Sequence, residues 1–217
     1  MGNLATAIGI QTQDAALVAA LKAGSEEAFA VLIAQYSRPL YSLIAHSLQD
    51  PADAADITQE VFIKVFRSVR TFHGHASLKT WLYRIALHEA SNQRRWWSRH
   101  KRQESTLDTP LSAGEAADGD DSICLSAMLM DGASSPYENA LNAELKARVE
   151  DALRKLPEAF RTVVVLREME GFAYEEIAEI LDVPAGTVKS RLTRGRAALK
   201  AILVADGLGS VLAGGAR

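Results

Sequence analysis

The chain has a single cysteine, Cys124, among 217 residues. No intrachain disulfide can form, and no cluster of thiolates can hold zinc. The N-terminus lacks the charged start and apolar core of a secretion signal. No run approaches the roughly 18 apolar residues that a membrane-spanning helix needs, so no membrane insertion is expected and the cytoplasm is the expected location. Lysine and arginine are missing altogether from residues 103–138, which carry Glu104, Asp108, Glu115, Asp118, Asp120, Asp121, Asp131 and Glu138. The formal net charge of −3 argues against a protein that coats nucleic acid indiscriminately. Residues 84–102 invert the pattern, with Arg84, Arg94, Arg95, Arg99, Lys101 and Arg102 against Glu89 alone. Basic blocks on either side of an acidic one suggest two nucleic-acid surfaces joined by a tether.

With 48% apolar residues the chain can bury one or two small cores. Its most informative stretch is Gly171 to Lys200. Ile177, Ala178 and Leu181 give a first helix one apolar face. Asp182-Val183-Pro184 breaks it, with a proline where a helix can start but not continue. In the second helix Val188, Leu192 and Leu199 face inward, while Lys189, Arg191, Arg194, Arg196 and Lys200 project outward. Five cations in residues 186–200, with no acid among them, after a tight turn, form a helix-turn-helix pattern. Such a second helix fits a DNA major groove, and small Ala178 would let the two helices cross closely.

Residues 1–12 lack periodicity. Asp14 to Ala23 reads as a short helix ended by Gly24, and Ser25 caps the next one. That helix carries Phe29, Leu32, Ile33, Tyr36, Leu40, Leu43 and Ile44 at helical spacing, with Pro39 inside it expected to kink it near Gln35 or Tyr36. Asp50-Pro51 starts a helix whose buried stripe is Ile57, Val61, Val65 and Val69. Ile63, set among Asp56, Gln59, Glu60 and Lys64, marks a docking face. After the loop 71–77, Ser77 caps a long helix that buries Leu78, Trp81, Leu82 and Ile85. Its outward face offers Lys79, Arg84, His88, Asn92 and Arg95. Rings beside cations suit single-stranded nucleic acid, and Trp96 and Trp97 are candidates for such stacking.

Residues 103–134 read as a linker of about 30 Å mean span and about 100 Å full reach. One small apolar patch, Ile123 to Met130, interrupts it. Ser135-Pro136-Tyr137-Glu138 is a capping box opening a helix to Lys155. Pro157 opens another, with Phe160, Val163, Val164 and Leu166, closing at Gly171. The expected fold class is all-α: two small helical bundles joined by a flexible acidic linker. The expected bounds are 14–102, 103–135 and 136–203.

Four stretches now stand in order: DPADAADITQEVFIKVF, FHGHASLKTWLYRIALH, LRKLPEAFRTVVVLREMEGFAYEEIAEIL and VPAGTVKSRLTRGRAALK. In that order they resemble the bacterial RNA polymerase sigma factors of the extracytoplasmic-function (ECF) type, within the sigma-70 family. The resemblance implies a subunit that binds core RNA polymerase and promoter DNA, without chemistry of its own. It makes Asp56, Gln59, Glu60 and Ile63 the surface that meets the polymerase clamp helices. The loop with Phe72, His73, His75 and Ser77 would hold a base flipped from the single-stranded −10 element. Lys79, Arg84, His88, Asn92 and Arg95 would follow the strand, and extruding a base costs a few kcal/mol that such a pocket must return. Lys189, Ser190, Thr193 and Arg194 would face the bases of a duplex −35 element, with Thr187, Arg191 and Arg196 on phosphates. An anti-sigma factor is a possible further partner. This chain departs from the family where it carries His88 in place of a frequent Asn, and Ala173 in place of a Ser or Thr cap.

Two other readings use the same residues. A stand-alone helix-turn-helix regulator would need no polymerase surface. A metal protein would draw on His73, His75, His88 and Cys124, but no acidic third ligand has suitable spacing and Cys124 lies in the linker. No metal and no cofactor are expected.

Overall fold

The computed structural model describes residues 14–48, 51–101 and 136–207. The N-terminal tail, Asp50, the linker with its patch 123–130, Cys124, Ser135 and the side chains of Trp96, Trp97, Tyr137 and Glu138 lie outside the described residues. The chain divides into two compact units, one of residues 1–106 together with Glu179–Leu181 and the other of the remaining residues. Every regular element among the described residues is helical.

The first unit holds four helices: α1 (14–23), α2 (Glu26–Ser47), α3 (Ala54–Ser68) and α4 (Leu78–Lys101). The hydroxyl of Ser25 accepts the Ala28 amide at 3.2 Å, and Glu26 and Glu27 add negative charge at the positive end of α2. The helix continues through Pro39. α2, α3 and α4 pack on one another. Their shared core takes Leu32, Leu40, Leu43 and Ile44 from α2 and Ile57, Val61 and Val65 from α3, with Val69 just beyond it. Burying each such side chain contributes about 1.5–3 kcal/mol.

Three expectations are corrected here. Ile33 points outward at 45% exposure, because the buried stripe of α2 follows Ala28, Leu32 and Tyr36 instead. α3 begins as a 3-10 turn, Pro51–Asp53, and becomes α-helical only at Ala54. On α4 the buried face runs through Leu78, Leu82, Tyr83, Ala86 and Ala90. Trp81 and Ile85 are half-buried at its edge, so the face is turned toward Tyr83.

The second unit holds α5 (Pro136–Lys155), α6 (Glu158–Val164), α7 (Tyr174–Leu181) as far as Ala178, and α8 (Ala185–Ala205). α6 widens into a π turn at Val165–Met169, where the Glu170 amide donates to the Val165 carbonyl at 3.2 Å. The change of pitch lets Val163, Val164, Val165 and Leu166 all be buried in succession. α5 and α6 each pack against α8, and Lys155 meets Asp206 at 2.7 Å. α6 and α8 cross closely at Gly195. A Cβ there would stand 2.8 Å from Cγ2 of Val164 and 3.3 Å from the Phe160 carbonyl oxygen.

Candidate nucleic-acid interface

The turn between α7 and α8 is built by a left-handed residue. Asp182 has φ 53° and ψ 50°, and the Val183 amide reaches back to the Ala178 carbonyl at 3.0 Å. Aspartate tolerates this conformation better than most residues. Pro184 then sets the start of α8, and the amides of Thr187 and Val188 close the first turn onto its carbonyl. At the start of α7, Ala173 has no side-chain acceptor, but its amide donates to Glu176 Oε2 at 2.8 Å, half of a capping box. Ile177 and Ile180 are the buried residues of α7, while Ala178 and Leu181 are only half-buried.

α8 buries Val188, Leu192, Gly195, Leu199 and Leu203. On its opposite side Lys189, Ser190 and Arg194 are exposed, with Thr187, Arg191 and Thr193 half-exposed. Ser190 donates its hydroxyl to the Thr187 carbonyl and Thr193 donates to that of Lys189, both at 3.1 Å. Their oxygens remain acceptors toward a ligand. Arg196 corrects its outward placement. Its Nε and Nη2 donate to Glu168 Oε1 at 3.0 and 2.6 Å, so its charge is already matched inside the unit. Arg167, on the π turn, donates to the Phe172 carbonyl at 2.8 Å and lies over the Tyr174 ring at 5.0 Å, which braces the entry to α7.

In the first unit, Phe72 is buried and its ring meets that of Trp81 at a centroid distance of 5.0 Å. It therefore supports the loop from beneath, and the exposed members are His73, His75 and Ser77. Gly74 between the two histidines has φ 73°, where a side chain would be strained, and the imidazoles stack 6.2 Å apart. Ser77 caps α4 by accepting the Thr80 amide at 3.0 Å. Beyond it, Arg84, His88 and Arg95 are exposed, Asn92 is half-exposed, and half-buried Lys79 lies 5.5 Å over the Tyr83 ring. Asn92 Nδ2 and His88 Nδ1 are 3.0 Å apart.

On α3, Asp56, Gln59 and Glu60 are exposed and Ile63 is half-buried. The same face carries Phe66, 62% exposed, with its ring 4.9 Å from that of Phe29 on α2. Its position three residues after Ile63 was the signal in the sequence that went unread. Two more residues escaped notice as participants. Glu89, the lone acid of the basic block, is paired with Lys64 of α3. Burial alone would raise its carboxyl pKa, but hydrogen bonds and charge from Lys64 and His88 hold it below the ordinary carboxylate value.

Among the described residues no group of three or more His, Cys, Asp or Glu is placed to hold a metal ion. Nor is any helix among them long and apolar enough to cross a membrane.

Comparison with known proteins finds two family models on this chain, sigma-70 region 2 over residues 32–102 and sigma-70 region 4 over residues 146–199. The RNA polymerase sigma-H factor of Pseudomonas aeruginosa is 35% identical over 189 residues, covering 87% of this chain and 93% of that protein. The ECF RNA polymerase sigma-E factor of Haemophilus influenzae is 36% identical over 186 residues, covering 86% and 93%. Among solved structures, CnrH in complex with the cytosolic domain of CnrY matches with a TM-score of 0.60 at 22% identity, covering 89% of this chain and 98% of that one. The sigma factor RpoE of Bartonella quintana, solved with the anti-sigma factor NepR, matches with a TM-score of 0.60 at 22% identity, covering 82% and 98%. Both structures share the fold. On the strength of the sequence matches, this chain belongs to the sigma-70 family as an ECF-type RNA polymerase sigma factor, a protein of promoter-directed transcription initiation.

Proposed function

We propose that the two units divide the work of promoter recognition while mounted on core RNA polymerase. α8 enters the major groove of the −35 element with Lys189, Ser190, Thr193 and Arg194 toward the bases and Thr187 and Arg191 on phosphates. The loop with His73, His75 and Ser77, together with Lys79, Arg84, His88, Asn92 and Arg95 of α4, holds the separated −10 strand. Asp56, Gln59, Glu60 and Ile63, extended by Phe66, dock on polymerase. The observation that carries this reading is the exposure of Lys189, Ser190 and Arg194 on a helix whose other side is fully buried.

Arg196 is left out of the phosphate contacts, because its guanidinium is bound by Glu168. The protein works in the cytoplasm by binding rather than by catalysis. Few phosphate contacts fall to each unit, so affinity for isolated DNA is weak and salt-sensitive, and polymerase supplies the remainder. A protein that covers the exposed faces of both units, as an anti-sigma factor would, silences it. The test is Lys189→Ala with Arg194→Ala: initiation is lost while polymerase binding persists. Loss of both together would contradict the assignment.

A further inference from the structure

The loop proposed to hold the −10 strand carries two of the chain's five histidines, one on each side of Gly74. Both are exposed, and their rings stand 6.2 Å apart with planes 19° from parallel. Gly74 turns the backbone between them, and nothing lies within 4 Å of where its Cβ would be. Among the described residues neither ring makes a hydrogen bond or an ion pair. The turn thus presents two imidazoles side by side on an open surface.

Charge decides what the pair can take. No acidic residue occurs from 61 to 88, and Glu89, the first one beyond, is paired with Lys64. α3 has its acids, Asp56 and Glu60, in its first half, away from the end that leads into the turn. α2 has its own, Glu26 and Glu27, in its first turn, where Ser25 donates to Glu27 at 2.7 Å. Histidine changes its charge between about pH 5 and 8, and a neighbouring anion favours the charged form. In the free chain, protons on the two rings would add positive charge to a stretch, 70–84, whose other charges are Arg70, Lys79 and Arg84. A DNA strand laid on the turn brings the phosphates that reward protonation of both rings.

We propose that His73 and His75 form a proton-linked phosphate site. They take up protons as the separated −10 strand settles on the loop, and then pair with the phosphodiester next to the extruded base. This rests on the reading of the loop given above. Each neutral ring gains one proton from solvent on its free nitrogen and becomes an imidazolium, and the DNA is chemically unchanged. Because binding takes up protons, affinity for the opened strand rises as pH falls. An exposed ion pair changes affinity by about threefold, so the two together amount to about tenfold between pH 8 and pH 6.

The experiment measures equilibrium binding of forked promoter fragments, single-stranded at −10, to the full chain assembled with core polymerase at pH 6, 7 and 8. The chain is compared with two double variants, His73→Asn with His75→Asn and His73→Arg with His75→Arg. The other three histidines are present in every protein, so their share cancels in the comparison. The asparagine variant is expected to lose the tenfold gain, binding at pH 6 about as the unsubstituted chain does at pH 8. The arginine variant, charged at every pH used, should bind at pH 8 about as the unsubstituted chain does at pH 6. Raised salt should shrink the gain, since it rests on phosphate contacts. If the asparagine variant binds more weakly by the same factor at all three pH values, the loop holds DNA without protons and the proposal is overturned. An arginine variant no tighter than the unsubstituted chain at pH 8 overturns it too. If neither variant changes binding at any pH, the reading of the loop falls as well.

Discussion

The guanidinium of Arg196 is clasped by a single oxygen of Glu168, 2.6 and 3.0 Å from two of its nitrogens, with side-chain exposures of only 16% and 11%. It ties helix α8 to the π turn that follows α6. A pair this shielded costs most when only one partner is removed, because the other charge is then left buried and unmatched. Glu168→Ala should therefore destabilise the second unit by about 2–3 kcal/mol. Arg196→Lys should not restore full stability, since a lysine cannot make the two-pronged contact. Denaturant unfolding of the variants measures both. Lys189→Ala, on the exposed side of α8, should unfold like the unsubstituted chain.

Gly195 gives a second prediction. Alanine is favoured over glycine inside a helix by about 1 kcal/mol. At this place its Cβ would stand 2.8 Å from Val164 and 3.3 Å from a backbone oxygen of Phe160. Overpacking of this kind costs about 1–3 kcal/mol, so Gly195→Ala should lower stability by about 1 kcal/mol rather than raise it. Thermal unfolding decides the sign.

Asp182 makes the opposite case. Its φ of 53° is a conformation that glycine adopts without strain. Asp182→Gly should leave the second unit as stable or raise it by up to about 1 kcal/mol, and Asp182→Val should destabilise it. Chemical denaturation of the two variants, run in parallel, checks the order.

The depressed carboxyl of Glu89 predicts a pH effect. A carboxylate whose folded pKa lies below its unfolded value adds stability that is present above the unfolded value. That stability is lost as pH falls through the folded one. The first unit should thus lose a contribution only on acidification below the ordinary carboxylate range. Glu89→Gln and Lys64→Met should each flatten that part of the stability profile. A profile unchanged by either variant would show that the Lys64 contact is too exposed to matter.

Much of the fold could be read from spacing alone, and the failures have identifiable causes. The stripe Ile57, Val61, Val65 and Val69 is buried as expected because valine and isoleucine recur there at helical intervals against charged neighbours. On α4 the same rule misled, since Trp81 and Ile85 are more apolar than Tyr83 and Ala86, yet the latter two are buried. Periodicity gives the presence of a face but not its angular centre, which depends on what packs opposite. Ile33 failed likewise, being apolar but one step off the stripe. The outward set on α8 was legible except for Arg196, whose partner lies 28 residues earlier on a π turn that no residue pattern announces. The surface of α3 was legible in its acids and Ile63; Phe66 was passed over because an exposed phenylalanine looks like core in a sequence.

The docking face proposed on α3 makes a prediction of its own. Asp56→Arg combined with Ile63→Glu should abolish recovery of core polymerase in a pull-down while leaving the circular dichroism and unfolding midpoint close to those of the unsubstituted chain. Phe66→Ser should weaken recovery without unfolding the unit, because most of that ring faces solvent. Equal recovery of all three proteins would favour a helix-turn-helix regulator that acts without polymerase.

The most direct measurement is transcription in vitro from fragmented genomic DNA with purified core RNA polymerase, followed by mapping of start sites. Addition of this chain should create a set of new starts, each preceded by a shared pair of upstream elements. The set should disappear with the Lys189→Ala and Arg194→Ala variant. An unchanged pattern of starts, in the presence of a chain that demonstrably binds polymerase, would contradict the account.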